Sequence, residues 1–145
     1  MDVHRQLWAL DHPGRTAQPE AAEPFRQEAF RLAGLQRYAA ALAQLNRALE
    51  LDPVDPESWQ NKGASLSKLG RRVEAVEALR KALEYDAPPP HALRGLAMLL
   101  ADLGRWNEAL PVLDRLVSID PKNAEFRQLR ERCVAELGGA SFRGD

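Results

Sequence analysis

The 145-residue chain predicts an all-α fold, an α-solenoid of antiparallel helix hairpins. Three observations carry that expectation. The helix formers Ala (23) and Leu (22) supply 45 of the 145 residues, whereas β-branched and aromatic residues are sparse. Apolar residues recur at spacings of three and four, so they share one face of a helix. The sequence also superposes on itself when shifted by 34 residues, the mark of a repeat architecture.

The repeat is visible at many positions. Phe25, Trp59 and Leu93 align, as do Leu32, Leu66 and Leu100. Leu35, Leu69 and Leu103 follow, then Arg37, Arg71 and Arg105. Ala41, Ala75 and Ala109, then Leu45, Leu79 and Leu113, complete the pattern, and Asp52, Asp86 and Asp120 close each unit. The units are 22–55, 56–89 and 90–123, together 102 residues.

Residues 1–21 form an N-terminal extension. Val3, Leu7 and Leu10, with Trp8 beside them, predict a short amphipathic helix that covers the first face of unit one. A mobile tail and a partner-binding helix are the alternatives. Pro13-Gly14 breaks that helix, and residues 15–24, with Pro19 and Pro24, read as a linker.

Each unit then carries two helices. In the second unit Trp59, Gly63, Leu66 and Leu69 mark the first, and Ala75, Leu79, Ala82 and Leu83 the second. Gly70 and Gly104 suit helix C-termini, where a left-handed backbone is needed. The small residues Ala29, Gly63 and Ala97 let paired helices approach closely. Asp-Pro at 52–53 and 120–121 ends the second helix, because a residue before Pro avoids the α region. Asp55 and Asn123 are expected N-caps, and Pro56 and Pro90 suit the first helical position. Pro111 lies inside a second helix that begins near Asn107, which predicts a local kink. Phe126, Leu129, Cys133 and Leu137 mark a capping helix over 124–138. Its outer face holds Arg127, Arg130, Glu131 and Glu136. Gly138-Gly139 ends it, and 139–145 reads as a disordered tail.

Composition narrows the chemistry. A net charge of −1 argues against a dedicated nucleic-acid binder. The single Cys133 leaves no disulfide and no cysteine-based zinc site, and it reads as a buried structural thiol. His4, His12 and His91 lack metal-ligand spacing, and no nucleophile elbow, phosphate loop or zincin motif occurs. No enzyme activity, metal or cofactor is therefore expected. The N-terminus has no signal-peptide pattern and no apolar run is long enough to span a membrane, so the default expectation is a cytoplasmic chain without membrane insertion.

The segments AFRLAGLQRYAAALAQLNRALELDP, SLSKLGRRVEAVEALRKALEYD and MLLADLGRWNEALPVLDRLVSIDP resemble tetratricopeptide repeats, in period and in their large-small-large and Ala-Leu-Ala helix patterns. Glu28 and Lys62 depart from the family, standing where it prefers an apolar residue, and Ala87 replaces a terminal Pro. The resemblance implies a right-handed α-solenoid of three units. It also implies a protein-binding adaptor whose first helices line a concave groove. The implied groove positions are Glu23, Arg26, Gln27, Phe30 and Ala33, then Glu57, Gln60, Asn61, Ala64 and Lys68, then His91, Arg94, Gly95, Met98 and Asp102. Arg26, Phe30, Gln60, Asn61, Lys68, His91, Arg94 and Met98 are the candidate peptide-binding residues. Asn can donate to and accept from a peptide backbone, Arg forks onto carboxylates, and Phe30 with Met98 could hold an apolar side chain.

Co-chaperones of this family hold a C-terminal aspartate in a carboxylate clamp. Here Asn61 matches the clamp and Arg26 stands for its first Lys. Phe30 replaces an Asn, His91 a Lys and Gly95 an Arg, so any such clamp is degenerate. A self-associating scaffold, acting through the solenoid ends or the Trp8 helix, is the rival reading. RNA binding is opposed by three basic against three acidic groove residues.

Overall fold

The computed structural model describes residues 2–85, 89 and 91–143. Among these it contains eight α-helices and no strand, in agreement with the expected all-α class. They are α1 (Val3–Asp11), α2 (Pro19–Gly34), α3 (Tyr38–Leu51), α4 (Pro56–Lys68), α5 (Arg72–Ala82), α6 (Ala92–Asp102), α7 (Trp106–Ile119) and α8 (Ala124–Arg143). None is long and apolar enough to cross a membrane. The unit end at Asp86-Ala87-Pro88, the helix start at Pro90 and the tail end at 144–145 lie outside the described residues. The chain divides into two compact units, 1–92 and 93–145.

In the first unit α2 packs on α3, α3 on α4, and α4 on α5. The α2–α3 and α4–α5 turns are built alike. The amides of Gln36 and Arg37 donate to the carbonyls of Ala33 and Leu32, both at 2.9 Å. Those of Gly70 and Arg71 donate to Ser67 and Leu66 at 3.0 and 2.9 Å. This geometry needs a left-handed residue after the helix, and Gly70 supplies it at φ 78°. Gln36 holds the equivalent place at φ 59°, without a glycine's freedom. The unit's core is Leu32, Leu42, Leu45, Leu49, Leu66, Val76 and Leu79, interleaved with buried alanines. A Cβ on Gly63 would stand 2.7 Å from Cγ of Leu79, so the small residue sets the α4–α5 approach.

Two expectations about the N-terminal segment are corrected. Residues 19–24 are not linker, because α2 begins at Pro19. Pro at a first helical position wastes no donor. Pro24 is the sixth residue and removes one bond, from the carbonyl of the exposed Glu20, where water can replace it. The Gln18 amide donates to the Leu51 carbonyl at 2.7 Å and ties the helix start to the end of α3.

The helix around Trp8 forms as expected, but its apolar stripe points outward. Val3, Leu7 and Leu10 are all exposed, and no α1 residue is buried. Polar contacts hold α1 instead. Arg5 forks onto Asp52 (Nε 3.0 Å, Nη2 2.5 Å), and the His4 ring meets Tyr85 edge-on with centroids 4.9 Å apart. The fully buried Asp52 carboxylate needs a cation more than the stripe needs cover.

In the second unit Leu93, Leu96, Leu99 and Leu100 of α6 and Leu113 and Leu116 of α7 are buried. Gly104 repeats the left-handed turn at φ 68°. The helix after it starts at Trp106, so Pro111 is again the sixth residue, and α7 continues to Ile119. Asn123 caps α8 through the Phe126 amide at 3.2 Å, as Asp55 caps α4 through Ser58 at 3.1 Å. Helix α8 packs on α7. The fully buried Cys133 donates its thiol to the Trp106 carbonyl at 3.3 Å, and burial raises its pKa. Half-exposed Arg130 pairs with Asp114 of α7 at 2.5 Å. One further expectation changes. The helix runs through Gly138-Gly139 to Arg143. Neither glycine adopts positive φ, and glycine lowers helix propensity by only about 1 kcal/mol without the left-handed stop.

Candidate functional site

The first helices α2 and α4 of the first unit place Glu23, Arg26, Gln27, Phe30 and Ala33 opposite Glu57, Asn61, Ala64 and Lys68. The spacings of three and four put each set on one helix face. Two hollows result, and Phe30 and Asn61 line both. One, about 220 Å³, has a mostly apolar wall of Ala29, Ala33, Tyr38, Leu45 and Ala64, with Lys68 at its rim. The other, about 300 Å³, is polar and lies among Glu23, Arg26, Asp55, Glu57 and Ser58. Phe30 is 78% exposed, so its ring projects into solvent beside the apolar hollow. That exposure is costly unless something covers it, at about 25 cal/mol per Å² of apolar surface.

The resemblance implies a ligand-binding Arg26; in the structure its guanidinium is engaged within the fold. Nη2 donates to Asp52 at 2.5 Å, Nε pairs with Asp55 at 2.9 Å, and Nη1 reaches Glu23 and the Pro19 carbonyl, each at 3.2 Å. Asp52 therefore holds two guanidiniums, Arg26 from α2 and Arg5 from α1, and the bond to Asp52 raises the Arg5 pKa. Arg26 stiffens the groove floor and leaves no free fork for a ligand carboxylate.

The remaining candidates are Gln60, His91, Arg94 and Met98. Gln60 lines neither hollow, and its Oε1 is buried without a hydrogen-bond partner. His91 is exposed just before α6. Arg94, in the second unit, pairs with Glu125 of α8 at 3.0 Å, and Met98 is partly exposed. Sequence reasoning missed Asp52, Arg5, Ser58 and Tyr38 as parts of this region. The recurrence of Asp52 at the 34-residue period was a signal, read only as a helix stop.

Another hollow, about 440 Å³, lies between α4 and α5 beside Trp59, Leu66 and Ala78. No candidate residue lines it. The Lys62 ammonium sits 5.3 Å from the Trp59 ring centroid, and burial lowers its pKa. This explains how a lysine occupies a place the repeat pattern reserves for an apolar residue: its ammonium lies over the indole face.

Comparison with known proteins agrees with this architecture. The tetratricopeptide repeat family model matches residues 66–133. No curated protein matches the chain by sequence. Among solved structures, the Arabidopsis OM64 TPR domain superposes with a TM-score of 0.71 at 18% identity, over 79% of this chain and 95% of that one. YrrB, a TPR protein with an unusual peptide-binding site, gives 0.75 at 24% identity, over 94% and 67%. The first TPR of Spaghetti (RPAP3), bound to an HSP90 peptide, gives 0.75 at 16%, over 84% and 97%. The left-handed turn residues Gln36, Gly70 and Gly104 recur 34 residues apart, residues 66–133 match the tetratricopeptide repeat family, and the fold is that of tetratricopeptide repeat structures.

Proposed function

We propose that this chain is a non-catalytic interaction adaptor that holds an extended segment of a partner protein along the α2–α4 groove. The observation that carries the reading is the exposed Phe30 beside an apolar hollow, with Asn61 shared between that hollow and its polar neighbour. Phe30 and the hollow can enclose one apolar side chain, while the Asn61 amide can both donate to and accept from a peptide backbone. The peptide seen on the RPAP3 repeat supports the reading by analogy of fold. Spent on Asp52, Arg26 gives little support to a carboxylate clamp. Capture of binding proteins by immobilised wild type, Phe30→Ala and Asn61→Ala tests the groove. Both variants should retain helicity and lose the captured protein; undiminished capture by both would defeat the reading.

A second reading, self-association through α1, is favoured by the exposed Val3, Leu7 and Leu10 stripe. Light scattering after size exclusion decides it. A dimer that Leu7→Glu dissolves supports this reading, and a concentration-independent monomer removes it.

A further inference from the structure

We propose that the α2–α4 groove selects a basic-apolar partner segment: a Lys or Arg spaced from an apolar side chain, with the cation over the Glu23–Glu57 end. The inference rests on the peptide-groove reading and adds the chemistry of the occupant. The groove has two unlike ends. The apolar hollow beneath Phe30 suits one aliphatic or aromatic side chain. At the other end the charges do not cancel. Arg5 and Arg26 carry two positive charges, and Asp52 and Asp55 carry two negative ones, so that buried cluster is neutral within itself. Glu23 and Glu57 remain, both exposed on the groove wall. Glu23 touches Arg26 only at 3.2 Å, through a guanidinium that Asp52 and Asp55 already neutralise. The groove surface at this end is therefore acidic, although Arg26 lines it. An approaching cation gains from both glutamates, whereas a carboxylate meets them without a free arginine fork to offset the repulsion.

Helix geometry sets the spacing. Glu23 to Phe30, like Glu57 to Ala64, is seven residues of helix, or about 10 Å at 1.5 Å per residue. An extended segment covers that distance in about three residues. The fitting motif is thus a basic residue about three positions from an apolar one, in either chain direction.

The test uses the full chain, labelled with ¹⁵N and titrated with short peptides followed through the amide shifts of α2 and α4. The probes are Arg-x-x-Leu and Leu-x-x-Arg peptides, with x drawn from Gly, Ser and Ala, and the same peptides with Glu in place of Arg. The basic peptides in one chain direction should bind about tenfold tighter than their acidic counterparts at low salt, with the preference shrinking as salt rises. Glu23→Gln with Glu57→Gln should reduce the preference to under about twofold while Leu contact at Phe30 persists. Equal or tighter binding of the acidic peptides would overturn the inference and leave the groove reading intact. Absence of shifts in α2 and α4 with every peptide would overturn both.

Discussion

Gly63 offers the sharpest test of how these repeats pack. Replacing it with Ala has two opposed consequences. In a helix interior Ala is better than Gly by about 1 kcal/mol. The new Cβ, however, would stand 2.7 and 2.8 Å from Cγ and Cδ2 of Leu79 and 3.3 Å from the Ala75 carbonyl oxygen. Carbon pairs are comfortable at about 3.5–4.0 Å, so Leu79 must retreat by about 1 Å. Leu79 is buried, so its retreat displaces packed neighbours. Overpacking of this kind costs about 1–3 kcal/mol. The clash should win, and Gly63→Ala should destabilise by about 1–2 kcal/mol, lowering Tm by about 2–4 °C per kcal/mol for a chain of this size. The decisive experiment is a double-mutant cycle read by far-ultraviolet circular dichroism in heat and urea. Leu79→Ala alone should cost about 2–5 kcal/mol. In that background Gly63→Ala should turn neutral or stabilising, because its Cβ enters vacated space and the propensity gain remains. A Gly63→Ala variant more stable than wild type, or one whose effect is the same in both backgrounds, would refute the close-approach argument.

Three further outcomes follow from the same geometry. Asp52→Ala should cost about 1–3 kcal/mol, since it removes charge-assisted bonds to two guanidiniums that keep Asp55, Glu23 and Asp2 as partners, whereas Arg5→Ala should cost less and chiefly raise hydrogen exchange in α1, whose hold on the repeat depends on that fork. Gln36→Gly should stabilise slightly, by under about 1 kcal/mol. It relieves a left-handed residue worth about 1–2 kcal/mol and gives part of that back as unfolded-state entropy; a loss of stability in urea would contradict the turn assignment. In a Tyr38→Phe variant the remaining tyrosine, Tyr85, should ionise near pH 12 by ultraviolet difference absorbance. Burial, helped by Glu84, pushes its pKa up to about 12 from an ordinary 10. The folded state then favours the neutral phenol. Its contribution to stability is intact below pH 10 and declines as pH rises toward 12, and a midpoint near 10 would show that α1 and the Asp52 turn do not shield it.

The parts of the fold that follow local rules were legible in the residues. Gly70 and Gly104 adopt the left-handed turns, Asp55 and Asn123 cap their helices, and Cys133 is buried. Prolines misled where they were weighed as linker residues: Pro19 starts α2 and Pro24 sits inside it, whereas Pro111 lies within α7 as the repeat pattern predicts. A missing donor near a helix start costs one bond, and an exposed carbonyl recovers it from water. The groove positions were legible as helix faces, since α2 and α4 bring most of them together around two hollows. Their electrostatic roles were not. Arg26 had the right type and register for a ligand fork, but nothing local says that Asp52 is buried beneath it.

By itself the sequence determined the repeat: its period, its helices, its turns and the faces that go inside. Those properties depend on residues three, four or 34 apart along one chain, and hydrophobic periodicity reports them directly. Tertiary structure alone decided how α1 docks, which arginine is spent and which charges remain in the groove. Arg5 and Asp52 are 47 residues apart and outside the repeat register. Their pairing arises because folding removes one carboxylate from water and must supply it with cations, a demand that exists only once the helices are packed.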